Sequence, residues 1–330
     1  MRILKEFYRQ SIAIIVVILF FTVVTYLNNN ITDNYNVEET TIPVSSDISN
    51  EEGLLDISFD DIIIDKDNMI NSDLFDDCNY ALFIDDTDKI NYASKNIYKR
   101  MYPASMTKLM TAMVVLDKVN DKSISLDDVV TLEHYYDLTS EGVLPSELTP
   151  GCKITVKDLL YTLLIQSNNY YALILADYVA GSEEAFCELM NQKALSIGAT
   201  GTHFSNPHGL DAPDHYTTAY DMYLIIKAAR YYDEIINIDS FEAYDYFYYN
   251  STGVPIEVTV SATNYFITGD AVLPANYNIV IWKTGTTDGA GNCLAMYLTR
   301  NDKEYMLIAS ANESKPVLYD AIVTMLCLVN

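Results

Sequence analysis

Tyr102-Pro103-Ala104-Ser105-Met106-Thr107-Lys108-Leu109-Met110-Thr111-Ala112-Met113-Val114-Val115-Leu116 sets a proline, a serine and a lysine at the head of an apolar run. Pro103 ends what precedes it, and Met106, Leu109, Met110, Met113 and Leu116 recur at helical spacing. The stretch predicts a largely buried helix with Ser105 in its first turn. There, free backbone N–H groups and the positive end of the dipole favour developing negative charge. Lys108 lies three residues on, so its amine can fold back over the serine on the same face. To act as a base it must be neutral, and desolvation plus a second nearby cation would lower its pKa from about 10.4. A Ser-x-x-Lys by itself also describes a capping serine and a snorkelling lysine, so the rest of the chain has to decide.

Two further motifs follow in order. Asp158 to Ile165 and Tyr170 to Val179 are apolar helix patterns, the second closed by Gly181, and Ser167-Asn168-Asn169 lies in the break between them. A turn would explain these residues, but flanking helices can also hold a hydroxyl and an amide rigidly in a cleft. Asn278 to Thr287 is β-branched and apolar up to Lys283-Thr284-Gly285 and reads as a strand. After the turn Asp288-Gly289-Ala290-Gly291 come two more strand patterns, Cys293 to Thr299 and Tyr305 to Ala311, then an apolar helix from Val317 to Leu328. Gly285 lets another backbone approach the strand closely. Lys283 and Thr284 offer a charge and a hydroxyl to a carboxylate. Nucleophile, base, polar relay and cationic strand are the set used by serine enzymes that acylate on D-Ala-D-Ala peptides or β-lactams.

Longer segments carry a resemblance. Tyr80 to Asp85 with Ile90-Asn91-Tyr92, the segment around Ser105, His203-Phe204-Ser205-Asn206-Pro207-His208-Gly209-Leu210-Asp211, and Lys283 to Gly291 resemble the serine-type D-alanyl-D-alanine carboxypeptidases, the low-molecular-mass penicillin-binding proteins of peptidase family S11. The likeness runs from about Asp77 to the C-terminus. It implies a mixed α/β, β-lactamase/transpeptidase-like domain, in which an antiparallel sheet from both ends of the sequence packs beside a helical region from the middle. The nucleophile helix would start at their junction.

The resemblance also implies roles. Ser105 attacks the carbonyl of the penultimate D-Ala with Lys108 as general base, and Ser167 carries the proton to the leaving amine. Asn169 orients the peptide, and Lys283 and Thr284, with Gly285 beside them, bind its terminal carboxylate. The oxyanion sits between the backbone N–H groups of Ser105 and Thr286. The partners implied are a stem peptide ending in D-Ala-D-Ala and β-lactams as covalent inhibitors, with no cofactor and no metal. The pattern is broken twice. Asn168 stands where the family usually has glycine, and the stretch Ser261 to Phe266 lacks the basic residue that many members carry there.

Ser11 to Leu27 is an uncharged apolar run behind Arg2, Lys5 and Arg9. It predicts a short membrane anchor with the rest of the chain outside, a cleaved signal segment being the rival. From Asn28 to Asp77 fourteen acids face one lysine, Lys66, which suits a solvated stalk. The expected organisation is therefore an anchor at 1–27, a stalk at 28–76 and a catalytic domain at 77–330. A net charge of −26 argues against nucleic acid. The five scattered cysteines suit buried thiols. His203, His208, Asp211, Asp214 and His215 fall close together but match no helical zinc spacing. The tyrosines from Tyr231 to Tyr249 fit half-buried strand positions. Besides carboxypeptidase, the functional alternatives are a serine β-lactamase, a D,D-endopeptidase and a non-catalytic wall-binding scaffold.

Overall fold

The computed structural model describes residues 76–311 and 313–329. The expected anchor and nearly all of the stalk lie outside them; among the described residues no helix is long and apolar enough to cross a membrane.

Strands β1 (Cys78–Asp85) and β2 (Ile90–Lys95) form a hairpin, and the later part of the chain supplies β7 (Asn278–Thr287), β8 (Gly291–Arg300) and β9 (Lys303–Ala311). β9 pairs antiparallel with β1, from Cys78 opposite Ala311 to Asp85 opposite Tyr305. One sheet in the order β2-β1-β9-β8-β7 results, so segments far apart in sequence share it, as expected. Unbroken burial along the middle of β8 and β9 means that both faces are covered. Helices α5 (Ala219–Ala229) and α8 (Lys315–Leu326) pack on these strands, with the one-turn helix α7 (Tyr265–Thr268) between them in sequence. α5 also anchors to the sheet by polar contacts, since the Lys227 ammonium and the Tyr223 hydroxyl both reach Asp86 Oδ1, at 3.2 and 2.6 Å. The last helix begins two residues before the apolar pattern does, because Pro316 fits its first turn.

The helical region is α1 (Thr107–Asn120), α2 (Val156–Ile165), α3 (Asn169–Ala180) and α4 (Glu183–Ser196). Every residue of α1 from Thr107 to Leu116 is buried, which suits a central helix with neighbours all round. Caps set the ends of its neighbours. Thr155 Oγ1 accepts Asp158 N at the start of α2, Gly181 closes α3 with φ 80°, and Ser182 opens α4. A second sheet, β3-β4-β5-β6, joins Val129–Thr131, Lys153–Thr155, Ala243–Tyr249 and Pro255–Ser261. It was not foreseen, because its first two strands are three residues each and carry no period. The tyrosine-rich run divides between α6 (Asp233–Asp239) and β5, where Tyr246 and Tyr248 point inward and Phe247 and Tyr249 are exposed. All five cysteines are unpaired thiols, and all but Cys327 are buried.

Candidate active site

Ser105 sits in a single 3-10 turn, Ala104–Met106, that feeds directly into α1. The turn is held from two sides. Ala104 adopts left-handed backbone at φ 47°, which costs a non-glycine residue about 1–2 kcal/mol. The surrounding glycines allow it: a Cβ on Gly209 would fall 1.9 Å from Ala104 O, and one on Gly285 would fall 2.8 Å from Ala104 Cβ and 3.1 Å from Ser105 N. Thus β7 lies directly against the backbone of Ser105. The segment 206–210 is folded on itself, with Asn206 Oδ1 accepting Gly209 N and Asn206 Nδ2 donating to Leu210 O. It is tied to α1 through Thr111 Oγ1, which donates to Pro207 O at 2.6 Å.

Lys108 is fully buried. Its Nζ lies 2.8 Å from Ser105 Oγ, 2.7 Å from Asn169 Oδ1 and 2.5 Å from His208 O. The last two can only accept. A neutral amine has two N–H bonds and one lone pair, so the two oxygens take the hydrogens and the lone pair is left for the serine hydroxyl. Burial, and then the charge of Lys283, hold the Lys108 amine well below the ordinary lysine range. Both conditions for a base acting on Ser105 are therefore built in.

The second motif is placed by its own unusual backbone. Ser167 takes φ 66°, and Asn168 then becomes the N-cap of α3, its Oδ1 accepting Tyr170 N and Tyr171 N at 3.0 and 3.4 Å. The asparagine that departs from the family pattern thus has a structural task, and Asn169 begins the helix facing Lys108. Ser167 Oγ is buried with no hydrogen-bond partner among the described residues. It is not joined to the Ser105–Lys108 pair. A cleft of about 580 Å³ opens here, lined by Ser167, Asn169, Leu144, Tyr246 and Tyr248.

Among the described residues β7 is an edge strand, paired only with β8. Lys283 is fully buried and Thr284 nearly so. Burial lowers the Lys283 amine to about 7; Asp239 opposes the shift and Lys315 adds to it. Thr284 Oγ1 is 2.5 Å from Thr263 Oγ1. A neutral hydroxyl therefore meets the strand from the segment in which the family resemblance would place a cation. Lys315, at the start of α8, is a cation whose charge Lys283 feels, and nothing in its sequence setting announces that.

Other contributors were also missed by motif reasoning. His208 contributes its carbonyl, and the only hint was its place in the Asn-Pro-His-Gly-Leu stretch. Asp211 fixes the β7–β8 turn through Thr287 Oγ1 and Gly289 N, at 2.7 and 2.8 Å. Asp239, at the end of α6, accepts Trp282 N at 2.8 Å. The histidines do not converge. His215 Nδ1 accepts Ser205 N, so its Nε2–H donates to Thr107 Oγ1, while His208 Nδ1 accepts Leu210 N. Among the described residues there is no group of three or more potential metal ligands.

A family model described as D-alanyl-D-alanine carboxypeptidase, peptidase S11, matches residues 75–312. The D-alanyl-D-alanine carboxypeptidase DacF of Bacillus subtilis is 36% identical over 172 residues, 52% of this chain and 43% of that protein. DacC of Escherichia coli is 35% identical over 223 residues, 64% of this chain and 50% of its own length. The chain thus spans about half the length of these curated relatives. The D-alanyl-D-alanine endopeptidase of Escherichia coli is 32% identical over 229 residues, 69% of either chain. Among solved structures, the Streptomyces K15 DD-transpeptidase superposes with a TM-score of 0.68 at 25% identity, covering 76% of this chain and 96% of that one. Penicillin binding protein 6B from Escherichia coli gives 0.63 at 26% identity, covering 76% of each. With this pattern matched across most of its length, the chain belongs to the peptidase S11 family of D-alanyl-D-alanine carboxypeptidases and has the mixed α/β fold of the DD-transpeptidases.

Proposed function

We propose that the protein is a serine D,D-carboxypeptidase that removes the terminal D-Ala from peptidoglycan stem peptides. The observation that carries this reading is the Lys108 amine, fully buried and 2.8 Å from Ser105 Oγ, with its two hydrogens claimed by Asn169 Oδ1 and His208 O. In the first step Ser105 Oγ bonds to the carbonyl carbon of the penultimate D-Ala as its proton passes to Lys108 Nζ. Negative charge on the carbonyl oxygen is met by the backbone N–H groups of Ser105 and Thr286. As the tetrahedral intermediate collapses, the C–N bond breaks and the proton held on Lys108 passes by way of Ser167 to the amine of the leaving D-Ala, returning Lys108 to its neutral form. Water then adds to the ester and restores the Ser105 hydroxyl.

Asn169 orients the peptide. Thr284 meets the terminal carboxylate directly, with Lys283 beneath it supplying charge and Gly285 permitting close approach. β-Lactams would acylate the same serine. Residues 1–27 are read as a membrane anchor and 28–76 as a stalk, placing residues 77–330 outside the cell membrane; the charge pattern supports this. Fractionation of cells expressing the full chain and a form lacking residues 1–27 tests it, since only the full chain should sediment with membranes.

The decisive experiment is intact mass of the protein over time with benzylpenicillin, alongside D-Ala release from a pentapeptide. A lasting adduct on Ser105 with D-Ala release supports the proposal. Rapid consumption of penicillin without an adduct would indicate a β-lactamase, and no reaction at all a non-catalytic scaffold. Endopeptidase action on cross-links is a second reading, favoured by the fuller coverage of the endopeptidase relative. Cleavage of a purified cross-linked dimer faster than D-Ala release would select it.

A further inference from the structure

Beyond the catalytic residues, the free edge of β7 has a direction. The backbone N–H of Trp282 is taken by Asp239 Oδ2, so it points away from β8. The register with β8 is continuous from Ile281 to Thr287. Backbone groups alternate along a strand, so those of Thr284 and Thr286 point to the same outward side. The edge is therefore closed at residue 282 and open beyond it. A peptide whose terminal carboxylate lies at Lys283 and Thr284, and whose scissile carbonyl lies at Ser105, cannot continue toward Asp239. Its upstream residues must run past Thr287 toward the turn, each advancing about 3.3 Å.

At that turn lies a separate pocket of about 560 Å³, whose lining includes Gly289 and Ala290 together with Lys99, Arg100, Tyr102 and Tyr216. Its lining holds two cations and no carboxylate, in a chain with 46 acidic against 20 basic residues. The Arg100 guanidinium stacks 3.9 Å from the centre of the Tyr216 ring. Neither Lys99 nor Arg100 has an ion-pair partner among the described residues. The acid beside the entrance, Asp211, is already bound to the turn by both oxygens. A guanidinium set over an aromatic ring, with no ion-pair partner among the described residues, is suited to a carboxylate.

We propose that this pocket is a subsite for a carboxylate-bearing residue of the acyl-donor peptide, two or three positions upstream of the scissile bond. The proposal rests on the acyl-transfer reading of Ser105 and names a preference that reading does not contain: an acidic donor over its amidated counterpart.

The test uses the full chain and follows how donor peptides slow penicillin acylation of Ser105. Three donors ending in D-Ala-D-Ala are compared: a short neutral one, one with a glutamyl residue upstream bearing a free carboxylate, and the same peptide as the carboxamide. The carboxylate form should compete about tenfold better than the carboxamide. In the Lys99→Gln/Arg100→Gln variant that ratio should fall to about one, with the short donor and the penicillin rate unchanged. Equal competition by carboxylate and carboxamide in the unaltered protein would overturn the subsite without recourse to any variant. So would a ratio that survives the substitutions, or a variant that loses all donors alike. If penicillin never acylates the unaltered protein, the catalytic reading fails and takes the subsite with it.

Discussion

Asp239 and Trp282 are joined twice: the carboxylate accepts the backbone N–H at 2.8 Å, and the Asp239 carbonyl accepts the indole N–H at 3.0 Å. This fixes the end of α6 to the strand that carries Lys283. Burial pushes the Asp239 carboxyl up to about 8, opposed by the Trp282 N–H and by Lys283, and the same burial pushes Lys283 down to about 7. For a charged Asp239 the Trp282 N–H is the first support and Lys283 the second, while Asp239 is the main support for a charged Lys283, against the repulsion Lys283 feels from Lys315 and the repulsion between it and Lys108.

Asp239→Asn keeps an acceptor for Trp282 and removes the counter-charge, so Lys283 should titrate lower still. Lysine is charged below its pKa, so carboxylate binding should be lost at a lower pH as pH rises. A shift of one unit predicts a KM for peptide donors about tenfold higher in the affected range, with kcat largely kept and the alkaline limb of kcat/KM displaced downward. An unchanged KM across the pH range would remove Asp239 from any part in binding.

Ser105→Ala should abolish the penicillin adduct, and Lys108→Ala should slow acylation by at least about a thousandfold. Because the Lys108 amine is held well below its ordinary value, acylation should stay fast at neutral pH and decline on the acid side, where the amine gains a proton. A rate that instead rose only toward pH 10 would mean an unperturbed lysine.

Gly209 and Gly285 should separate stability from activity. At Gly209, φ is 92° and an added Cβ meets the backbone of Ala104, so Gly209→Ala should cost at least about 3 kcal/mol and lower the urea midpoint sharply. At Gly285 the backbone is ordinary and the clash is with Ala104 Cβ and Ser105 N. Gly285→Ala should push β7 off the nucleophile and cut acylation at least about tenfold, at a smaller loss of stability. Equal effects on both measurements would contradict this division.

Acid should unfold the domain through its histidines. His208 and His215 are lowered to about 3 and about 4, burial being the main cause, with the Lys108 charge adding to both. Each Nδ1 accepts a backbone N–H, which a second ring proton would break. The unfolded chain binds these protons near pH 6.5 and the folded chain does not. Their full contribution is present above that pH and is lost as pH falls toward 4, on the order of 3 kcal/mol for each histidine. Urea midpoints should drop steeply over this window, and His215→Gln should flatten the fall.

Sequence alone determined the elements whose cause is local. Pro103 and the apolar spacing set the buried helix of Ser105. The β-branched run and turn residues set β7 to β9, and Gly181 set the end of α3. Ser105, Lys108 and Lys283 were legible because their chemistry depends on residue type at short spacing. Tertiary structure alone decided what depends on meetings between distant segments: β1 beside β9, the short second sheet, and Asn168 serving as a cap. It also decided that His208 O and Asn169 Oδ1 would take the two hydrogens of Lys108, and that Asp239 would close one end of the β7 edge. Burial supplies the physical reason. It lowers the pKa of a buried lysine and makes a lone aspartate a strand clamp, and it is a property of the packed chain that no local pattern encodes.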